Sequence, residues 1–278
     1  MSENCIAIYV AKIPPTEDTP ESLVTRLQDS WLSEAEQQRV LRFRFLKDQQ
    51  LSLASKQITR AVLGHMLECE PQTLVFAEGR HGKPFLPDHP TLHFNLSHTA
   101  NTVVLAASQS PALNAVGVDV EIPSPGRGSY KLARRFFCAD ENLQLAACQP
   151  WEPSGLECFN QFWTLKESFI KGMGTGLSTS LSKFGFNLRI PGKIGFHCAD
   201  DIDCGPFPWH FATYHFDAAT RIALGFQSES AAYDTRFFKI SDYFQKYKLK
   251  ATQNQASNSA HFALTEVPVK PVAKSWDS

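Results

Sequence analysis

The sequence predicts an α+β protein made of two packed halves, because one pattern of elements occurs twice along the chain. Apolar residues at helical spacing run through Leu46 to Leu67, and β-rich runs separated by turns follow from Thr73 to Val120. Helices are then expected around Tyr130 to Phe137 and Cys158 to Lys171, with further β-type runs after them. Since helices followed by strands appear twice, we predict two α+β halves that share a core.

The N-terminal half opens with a short strand and two helix starts. Ile6 to Val10 is an apolar run that is typical of a buried strand. Pro20 after Thr19 marks the start of a helix, since proline suits the first helical turn. Ser33 followed by Glu36 is a capping-box pattern, so a second helix is predicted from there.

The second half and the C-terminal segment complete the predicted organisation. Further β-type runs lie at Phe184 to Ile190, His210 to His215 and Arg221 to Phe226. We assign residues 1–115 to an N-terminal lobe, residues 116–247 to a C-terminal lobe and residues 248–278 to a tail. Because the tail is polar and terminal, we expect it to be flexible.

The charge balance and the cysteines limit the classes of partner. The 278 residues include 27 basic and 28 acidic side chains, which gives a formal net charge of −1. A field that attracts nucleic acid is therefore not expected, and any anion must be bound by a local cationic cluster. The N-terminus has no signal-peptide pattern, and no apolar run approaches the roughly 20 residues of a membrane span. With seven scattered cysteines, a cytoplasmic protein with reduced thiols is expected.

Gly117 to Glu121 places two carboxylates on one side of a predicted strand. Side chains alternate along a strand, so Asp119 and Glu121 share one face while Val118 and Val120 point into the core. Neighbouring carboxylates repel each other unless a cation lies between them, and a hard divalent ion suits oxygen ligands. The alternative is an acidic strand face that is simply solvated.

A second pair of charged residues lies on the helix that includes Trp163 to Gly172. Glu167 and Lys171 are four residues apart, so they share a helical face. Glu167 could be a metal ligand or a base, and Lys171 could neutralise phosphate charge. An exposed ion pair that contributes only about 0.2–0.5 kcal/mol is the alternative.

Phe94 to Thr99 brings a hydroxyl and an imidazole together. On a strand Asn95 and Ser97 face the same way, and a turn near Ser97 would let His98 join them. A hydrolase nucleophile and base are disfavoured, because sequence neighbours seldom have triad geometry and no nucleophile-elbow motif surrounds the serine. Phosphate binding and simple turn capping both stay open.

Gly79 to Pro84 is the fourth segment of interest. Its two glycines, Gly79 and Gly82, allow a tight turn whose backbone amides can approach an anion, and Lys83 adds a positive charge. A plain hairpin loop is the simpler interpretation when this segment is taken alone.

In this order and spacing, the segments resemble the motifs of the 4′-phosphopantetheinyl transferase superfamily, in particular its two-lobed, surfactin-synthetase-activating type. The resemblance covers roughly residues 30 to 230. It rests on Gly82 to Pro84, Phe94 to His98, Gly117 to Glu121, Arg134 to Phe137, Phe162 to Gly172 and Gly176 to Ser178. It implies two similar α/β lobes in a pseudo-twofold arrangement, with the active site at the lobe interface.

The resemblance also implies a chemistry for the charged residues. Asp119, Glu121 and Glu167 take the positions of ligands to magnesium, which would lie against the pyrophosphate of the co-substrate coenzyme A. Glu167 and Lys171 are the implied catalytic residues: Glu167 accepts the proton of an attacking serine, directly or through a water on the metal, and Lys171 stabilises phosphate charge. The reaction would move 4′-phosphopantetheine to a carrier-protein serine and release 3′,5′-ADP.

Contacts to coenzyme A are implied at six basic or polar positions. They are Lys83, Ser97, His98, Arg39, Lys56 and Arg60. The first three lie in the family motifs, and the N-terminal helices would supply the other three. Such a local cluster would explain how a nearly neutral chain holds a polyanion.

The implied partner is an apo acyl or peptidyl carrier protein. The two-lobed type often serves multidomain synthases for polyketides, nonribosomal peptides, siderophores or polyunsaturated fatty acids. Carrier proteins are commonly acidic near the modified serine, and Lys131, Arg134 and Arg135 share a predicted helical face that could meet that surface. A solvated basic face is the alternative. Because two lobes within one chain would complete the site, a monomer is expected.

Two other functions compete with this interpretation. Asp119, Glu121 and Lys171 loosely match the residues of a magnesium-dependent nuclease or phosphodiesterase, but the chain has no basic stripe for a nucleic-acid backbone. The second is a non-catalytic module that binds coenzyme A, which would need neither Glu167 nor Lys171. Mass gain on a carrier protein, nucleic-acid cleavage and binding alone would distinguish the three.

Overall fold

The computed structural model describes residues 4–14, 19–123, 130–148, 153–241 and 263–275, which form an α+β fold. The helices are α1 (Pro20–Gln28), α2 (Glu34–Leu41), α3 (Leu46–Met66), α4 (Tyr130–Phe136), α5 (Ala139–Ala147) and α6 (Pro153–Met173). The strands are β1 (Cys5–Lys12), β2 (Ala77–Glu78), β3 (Pro84–Phe85), β4 (His93–Thr99), β5 (Thr102–Ser108), β6 (Leu113–Glu121), β7 (Phe184–Asn187), β8 (Gly195–Cys198), β9 (Trp209–His215), β10 (Arg221–Ser228), β11 (Asp234–Ser241), β12 (Ala263–Val267) and β13 (Pro271–Lys274).

Both predicted helix starts in the N-terminal half are confirmed by their capping bonds. Thr19 Oγ1 accepts a hydrogen bond from Ser22 N at 3.3 Å where α1 begins. Ser33 Oγ accepts one from Glu36 N at 3.4 Å, and the Glu36 carboxylate accepts one from Ser33 N at 2.9 Å. These side chains satisfy amide groups that have no partner within the first helical turn.

The first sheet has the strand order β12-β11-β1-β5-β4 and packs against α3. Strand β1 pairs antiparallel with β5 and parallel with β11. Alternate residues of β1 face two different cores: Tyr9 packs in the core that contains Ile58 and Val62 of α3, whereas Ile8 packs in the core shared with the second sheet. Both faces of β1 are therefore buried, which explains its uninterrupted apolar run.

The second sheet has the order β13-β9-β10-β6, and all its neighbouring strands are antiparallel. Val116, Val118 and Val120 of β6 point into the core between the two sheets. Asp119 points to the other side, where Lys171 of α6 contacts it. The predicted division of β6 into an apolar face and an acidic face is confirmed.

The layers are stacked in the order α3, first sheet, second sheet and α6. The core between the sheets combines residues of β1 and β5 with residues of β6, β9 and β10. Helix α6 covers the outer face of the second sheet through aromatic residues such as Phe162 and Phe169, which pack with Phe184 and Phe211. None of the described helices is long and apolar enough to cross a membrane.

The two sheets repeat one chain path. In the first half, β1, α3, β4 and β5 follow one another, and the strands lie in the order β1-β5-β4. In the second half, β6, α6, β9 and β10 follow one another, and the strands lie in the order β6-β10-β9. A short hairpin (β2-β3 or β7-β8) comes after the helix in each. This equivalence of topology is what the predicted pseudo-twofold arrangement requires.

The lobes are not the continuous segments that the sequence predicted. Strands β11 and β12 come from the C-terminal part of the chain, yet they extend the first sheet beyond β1. Strand β6 begins at Leu113, so the predicted boundary at residue 115 cuts a strand that pairs with β10. Parallel pairing between segments as distant as β1 and β11 leaves no local pattern in a sequence, which explains the difference.

The predicted flexible tail is corrected for part of its length. Within residues 248–278, strand β12 pairs with β11 and strand β13 pairs with β9. Val267 and Val269 pack on the core between the sheets, and Ala273 is buried in the core beneath α6. These apolar residues are spaced among polar ones, which hid them in the composition. Residues 248–262 and 276–278 lie outside the described part of the chain.

Candidate active site

The candidate site lies where the edge of one sheet meets the edge of the other. Strand β4 is the outermost strand of the first sheet, and β6 is the outermost strand of the second. Asn95 Oδ1 of β4 accepts a hydrogen bond from Val118 N of β6 at 2.8 Å, and Ser97 Oγ accepts one from Val120 N at 3.3 Å. The contact between the edges of β4 and β6 is called the seam below. Side chains of β4 satisfy amides of β6 at this seam and hold the two strands in register.

Three residues predicted for the site meet at the seam. Lys171 Nζ donates hydrogen bonds to Asp119 Oδ1 at 2.5 Å and to Ser97 Oγ at 2.8 Å. Ser97 Oγ donates to the same Asp119 oxygen at 2.8 Å. Asp119 is 3% exposed, and its Oδ2 is buried with no hydrogen-bond partner among the described residues. Because an unpartnered buried carboxylate oxygen is costly, this atom is suited to bind a cation.

Gly117 allows α6 to approach β6 closely enough for this contact. A Cβ at Gly117 would lie 2.0 Å from Ser168 O and 2.3 Å from Gly172 N. Both are backbone atoms of α6, so a larger residue would displace the helix. Glycine is therefore required at position 117 because β6 and α6 pack so closely there. This close packing brings Lys171 to Asp119.

Glu167 lies one turn before Lys171 on α6 and is half-buried. Burial raises the pKa of its carboxyl, the negative charge of Asp119 raises it further, and the positive charge of Lys171 lowers it. Glu167, Asp119 and Lys171 therefore influence one another electrostatically, and their metal and catalytic roles stay predictions. A raised pKa brings a carboxyl closer to the range in which it can accept and release protons near neutral pH.

His98 follows Ser97 on β4 and has an exposed side chain. Partial loss of contact with water lowers the pKa of its imidazole, and Lys171 lowers it further, while Asp119 and Asp48 act in the opposite direction. His98 therefore belongs to the electrostatic environment of the Lys171–Asp119 pair. The influence of Asp48 could not be read from the motifs, because this residue lies in the first turn of α3.

The predicted ligands of magnesium would supply only part of the coordination that this ion needs. No three His, Cys, Asp or Glu side chains within the described ranges are grouped so that they could hold a metal ion by themselves. Glu121, the third predicted ligand, accepts a long hydrogen bond from Thr99 Oγ1 at 3.5 Å. Magnesium usually binds one or two carboxylates and takes waters and substrate phosphates as its other ligands. Asp119, with its unpartnered Oδ2, and the neighbouring Glu167 fit that pattern.

Lys83 holds the Gly79–Pro84 loop against the second half. Its Nζ donates hydrogen bonds to Val116 O at 2.9 Å and to Gly172 O at 2.7 Å. Burial lowers the pKa of Lys83 to about 8. These hydrogen bonds fix Lys83 to the backbone of β6 and of the C-terminal end of α6. The sequence did not predict this structural role. An ammonium has three donors, so one is left for the predicted contact with a nucleotide.

A cavity of about 880 Å³ in the N-terminal half is lined by the other three predicted coenzyme A contacts, Arg39, Lys56 and Arg60. Arg39 and Glu78 both line this cavity and form an ion pair with each other. Burial lowers the pKa of Lys56, and the charge of Glu36 opposes that shift. The sequence prediction of a basic cluster in the N-terminal helices therefore corresponds to one cavity.

Arg60 is a structural part of this cavity, which corrects its predicted role. Its side chain is 4% exposed and donates to Glu36 Oε2 at 2.7 and 3.1 Å. It also donates to Pro71 O at 2.7 Å and to Leu74 O at 3.0 Å. Four bonds to the protein occupy most of the guanidinium donors. The partners are distant in sequence, so the helical pattern could not reveal them.

A buried ion pair between α5 and α6, which the sequence motifs do not reveal, anchors α6. Lys166 Nζ lies 2.8 Å from Glu141 Oε2, and both side chains are fully buried. Lys166 also donates to Leu181 O and Phe184 O, each at 2.7 Å. Because Glu167 is the next residue, this pair helps to determine how α6 presents it. In the sequence, only the position of Lys166 on the apolar face of a predicted helix indicates that it is buried with a partner.

Comparisons with known proteins cover most of the chain. Residues 16–110 match the family described as 4′-phosphopantetheinyl transferase, N-terminal, and residues 115–251 match the 4′-phosphopantetheinyl transferase superfamily. The chain is 30% identical over 195 residues to the 4′-phosphopantetheinyl transferase Sfp of Bacillus subtilis (strain 168), which covers 70% of this chain and 82% of that protein. It is 30% identical over 225 residues to the 4′-phosphopantetheinyl transferase psf-1 of Bacillus pumilus, which covers 81% of this chain and 91% of that protein.

The matched families and relatives are transferases, so this α+β protein is a transferase. More particularly, the chain belongs to the 4′-phosphopantetheinyl transferase superfamily and is of the Sfp type. The resemblance that the motifs suggested is confirmed.

Proposed function

We propose that this protein transfers 4′-phosphopantetheine from coenzyme A to a serine of an apo carrier protein and releases 3′,5′-ADP. The observation that carries the proposal is the contact of Lys171 with Asp119 and Ser97 at the seam, with Glu167 beside it. Such a reaction needs a proton acceptor, a cation that stabilises phosphate charge and a carboxylate that can hold a metal. The cluster contains all three kinds of group.

Asp119, Glu167 and Glu121 are the proposed ligands of magnesium. When bound, magnesium would withdraw charge from the diphosphate and stabilise the departing 3′,5′-ADP. The unpartnered Oδ2 of Asp119 supports this assignment. The repulsion between Asp119 and Glu167, which raises the pKa of Glu167, also supports it. A cation bound between the two carboxylates would relieve this repulsion.

Glu167 is the proposed general base. As the serine oxygen forms its bond to phosphorus, the hydroxyl proton passes to the Glu167 carboxylate and the bond from phosphorus to the ADP oxygen breaks. Burial and the charge of Asp119 raise the pKa of Glu167, which supports this role. Proton transfer is most efficient when the pKa of the base lies near the working pH.

Lys171 is proposed to stabilise the phosphoryl group during transfer. Two of its donors bind Asp119 and Ser97, which orients the ammonium at the seam. Its third donor is left for a phosphate oxygen, and a charge-assisted hydrogen bond of this kind is stronger than a neutral one.

The coenzyme A contacts are proposed at Ser97, His98 and Lys83 near the seam, and at Arg39 and Lys56 in the cavity of the N-terminal half. This cavity of about 880 Å³ lies in the size range of small-molecule sites. Lys56 is partly buried, and a cation in such a position can hold a phosphate group more strongly than a fully exposed one, because the local dielectric is lower.

The acceptor is proposed to be a carrier protein of a polyketide, nonribosomal peptide, siderophore or polyunsaturated fatty acid synthase. Lys131, Arg134 and Arg135 of α4 are exposed and form the proposed basic face towards it. Charge reversal at all three is expected to raise KM for the carrier protein but not for coenzyme A, and equal effects on both would contradict docking at this face. We also propose that the protein acts as a cytoplasmic monomer.

The test is incubation of the protein with coenzyme A, magnesium and a panel of apo carrier proteins. Intact-mass spectrometry is expected to show the addition of one phosphopantetheine arm to at least one carrier and the formation of 3′,5′-ADP. Cleavage of nucleic acid without any mass gain would instead favour the nuclease. Binding of coenzyme A without turnover on any carrier would favour the non-catalytic module.

A further inference from the structure

Five consecutive residues, from the last residue of α2 to the residue before α3, form an exposed surface that is both apolar and basic. This surface, called the 41–45 surface below, consists of Leu41, Arg42, Phe43, Arg44 and Phe45. Its three apolar side chains, Leu41, Phe43 and Phe45, are 43%, 46% and 55% exposed. Both arginines are also exposed. Grouped aromatic residues on a surface are typical of a contact site rather than of a solvated loop.

Hydrogen bonds to the backbone of Phe43 and Phe45 tie this surface to α2 and α3. Phe43 N donates to Val40 O at 3.3 Å, and Phe43 O accepts a hydrogen bond from Gln49 Nε2 at 2.8 Å. Phe45 O accepts from Asp48 N at 3.0 Å and from Gln49 N at 3.1 Å as α3 begins. A surface that is already ordered loses little conformational entropy when a partner binds to it.

The charge of the surface has no compensating acid in the described part of the chain. Neither Arg42 nor Arg44 forms an ion pair with a carboxylate there. The guanidinium of Arg44 lies 5.4 Å from the centre of the Phe45 ring, and Lys47 Nζ lies 6.0 Å from the same ring. Uncompensated cations next to exposed rings fit a partner that is acidic and partly apolar.

The 41–45 surface joins two helices that border the cavity next to the candidate active site. Arg39 of α2 and Lys56 of α3 line this cavity together with Leu96 of β4, the residue before Ser97. The surface leads directly into α3, whose Asp48 also acts electrostatically on His98. His98 is in turn affected by Lys171 and Asp119 of the seam cluster. A protein that brought a serine to this cluster would therefore have part of its surface close to the start of α3.

We propose that the 41–45 surface docks the protein substrate, through an acidic surface with apolar residues close to the serine that is modified. This inference rests on the proposed function, since it assigns the acceptor of that reaction to a surface. It adds a contact in the N-terminal half to the basic face proposed on α4. Ring and aliphatic contacts supply affinity, and Arg42 and Arg44 supply steering and orientation.

Two double variants and two controls test the proposal by steady-state kinetics with a carrier protein that the wild type modifies. One variant removes the rings (Phe43→Ala with Phe45→Ala), and the other reverses the charges (Arg42→Glu with Arg44→Glu). Ile190→Ala is the control for a lost exposed apolar side chain, since Ile190 is 61% exposed. Lys239→Glu on β11 is the control for an exposed charge reversal.

Each double variant is expected to raise KM for the carrier protein about tenfold, which corresponds to roughly 1.4 kcal/mol, with KM for coenzyme A changed less than twofold. The controls are expected to leave both constants unchanged. For the wild type, kcat/KM for the carrier should fall with added salt, and the charge-reversed variant should lose most of this dependence.

Three outcomes would overturn the proposal. An unchanged KM for the carrier would remove docking at this surface and leave the proposed function intact. Equal increases in both KM values would assign the surface to nucleotide binding. If the wild type modified no carrier in the panel and bound none of them in fluorescence anisotropy, the proposed function and the docking surface would both be rejected.

Discussion

At the scale of single residues, the site depends on how the two oxygens of Asp119 are used. Oδ1 accepts hydrogen bonds from Lys171 and Ser97, while Oδ2 is buried and has no partner in the described residues. The charge of Asp119 also acts on Glu167. The pKa of Glu167 is raised mainly by burial and, to a smaller extent, by Asp119. One carboxylate thus orients a cationic side chain and also perturbs the proposed base.

Replacing Glu167 with Gln should abolish transfer and change the pH dependence of stability. Because the pKa of Glu167 is raised in the folded protein, its ionisation destabilises the fold, and this penalty develops as the pH rises from the unfolded pKa through the folded one. In the absence of metal, the gain in Tm of Glu167→Gln over the wild type should be larger at pH 8 than at pH 4. Equal differences at both pH values would contradict the raised pKa.

Substitutions at the two charged neighbours should move the pKa of Glu167 in opposite directions. Asp119→Asn removes a charge that raises this pKa, so the pKa should fall; Lys171→Met removes a charge that lowers it, so the pKa should rise. NMR titration of ¹³C-labelled glutamate carboxyls in metal-free protein measures both shifts. Shifts in the same direction would show that Asp119 and Lys171 do not act on Glu167 as described.

At the scale of elements, the close crossing of β6 and α6 sets the geometry of the site. Strand β6 supplies Asp119, α6 supplies Glu167 and Lys171, and Gly117 is the point where the two backbones nearly touch. The buried Lys166–Glu141 pair fixes α6 from its other side. Breaking either contact should shift the proposed catalytic residues Glu167 and Lys171.

Gly117→Ala should destabilise the protein far more than Gly82→Ala. The new methyl group at position 117 would overlap backbone atoms of α6, at a cost of about 3 kcal/mol or more. At Gly82, with φ of +83° and open space around it, only the backbone conformation is disfavoured, at about 1–2 kcal/mol. Urea unfolding of the two variants measures the difference. Similar losses would contradict the near-contact of β6 and α6.

Sequence patterns predicted the elements of the site because its strand and helix have clear periods. The alternation in Gly117 to Glu121 assigned Asp119 to the polar face correctly, and the four-residue spacing placed Glu167 and Lys171 on one side of α6. Roles set by distant partners could not be predicted in this way. The burial of Arg60 on Glu36 and the bonds of Lys83 to backbone carbonyls depend on packing between elements, which no local pattern records.

At the scale of the whole molecule, the chain path alternates between the two halves and ends by joining them. After β10 the chain returns to the first sheet as β11, and β12 extends that sheet before β13 crosses to the edge of the second. The topological equivalence of the halves was suggested by the repeated order of helices and strands. The C-terminal strands were not predicted, because edge strands are short and their apolar residues are few.

The packed C-terminal segment can be tested with two neighbouring residues of β13. Ala273 is 6% exposed in the core beneath α6, whereas Val272 is 45% exposed. Ala273→Asp should lower the free energy of unfolding by several kcal/mol, about 3 or more, because it buries an unpaired charge. Val272→Asp should change it by less than about 1 kcal/mol. If neither substitution changed the free energy of unfolding, the flexible tail that the composition predicted would be supported instead.

The proposed metal site can be tested directly by measuring the binding of a divalent ion with and without coenzyme A. Because no three His, Cys, Asp or Glu side chains in the described ranges form a metal site by themselves, the ion should need the diphosphate as a ligand. With Mn²⁺ as an EPR probe, we expect tight binding by the wild type only when coenzyme A is present, and loss of that binding in Asp119→Asn. Equally tight binding without coenzyme A, or unchanged binding by Asp119→Asn, would contradict the proposed site.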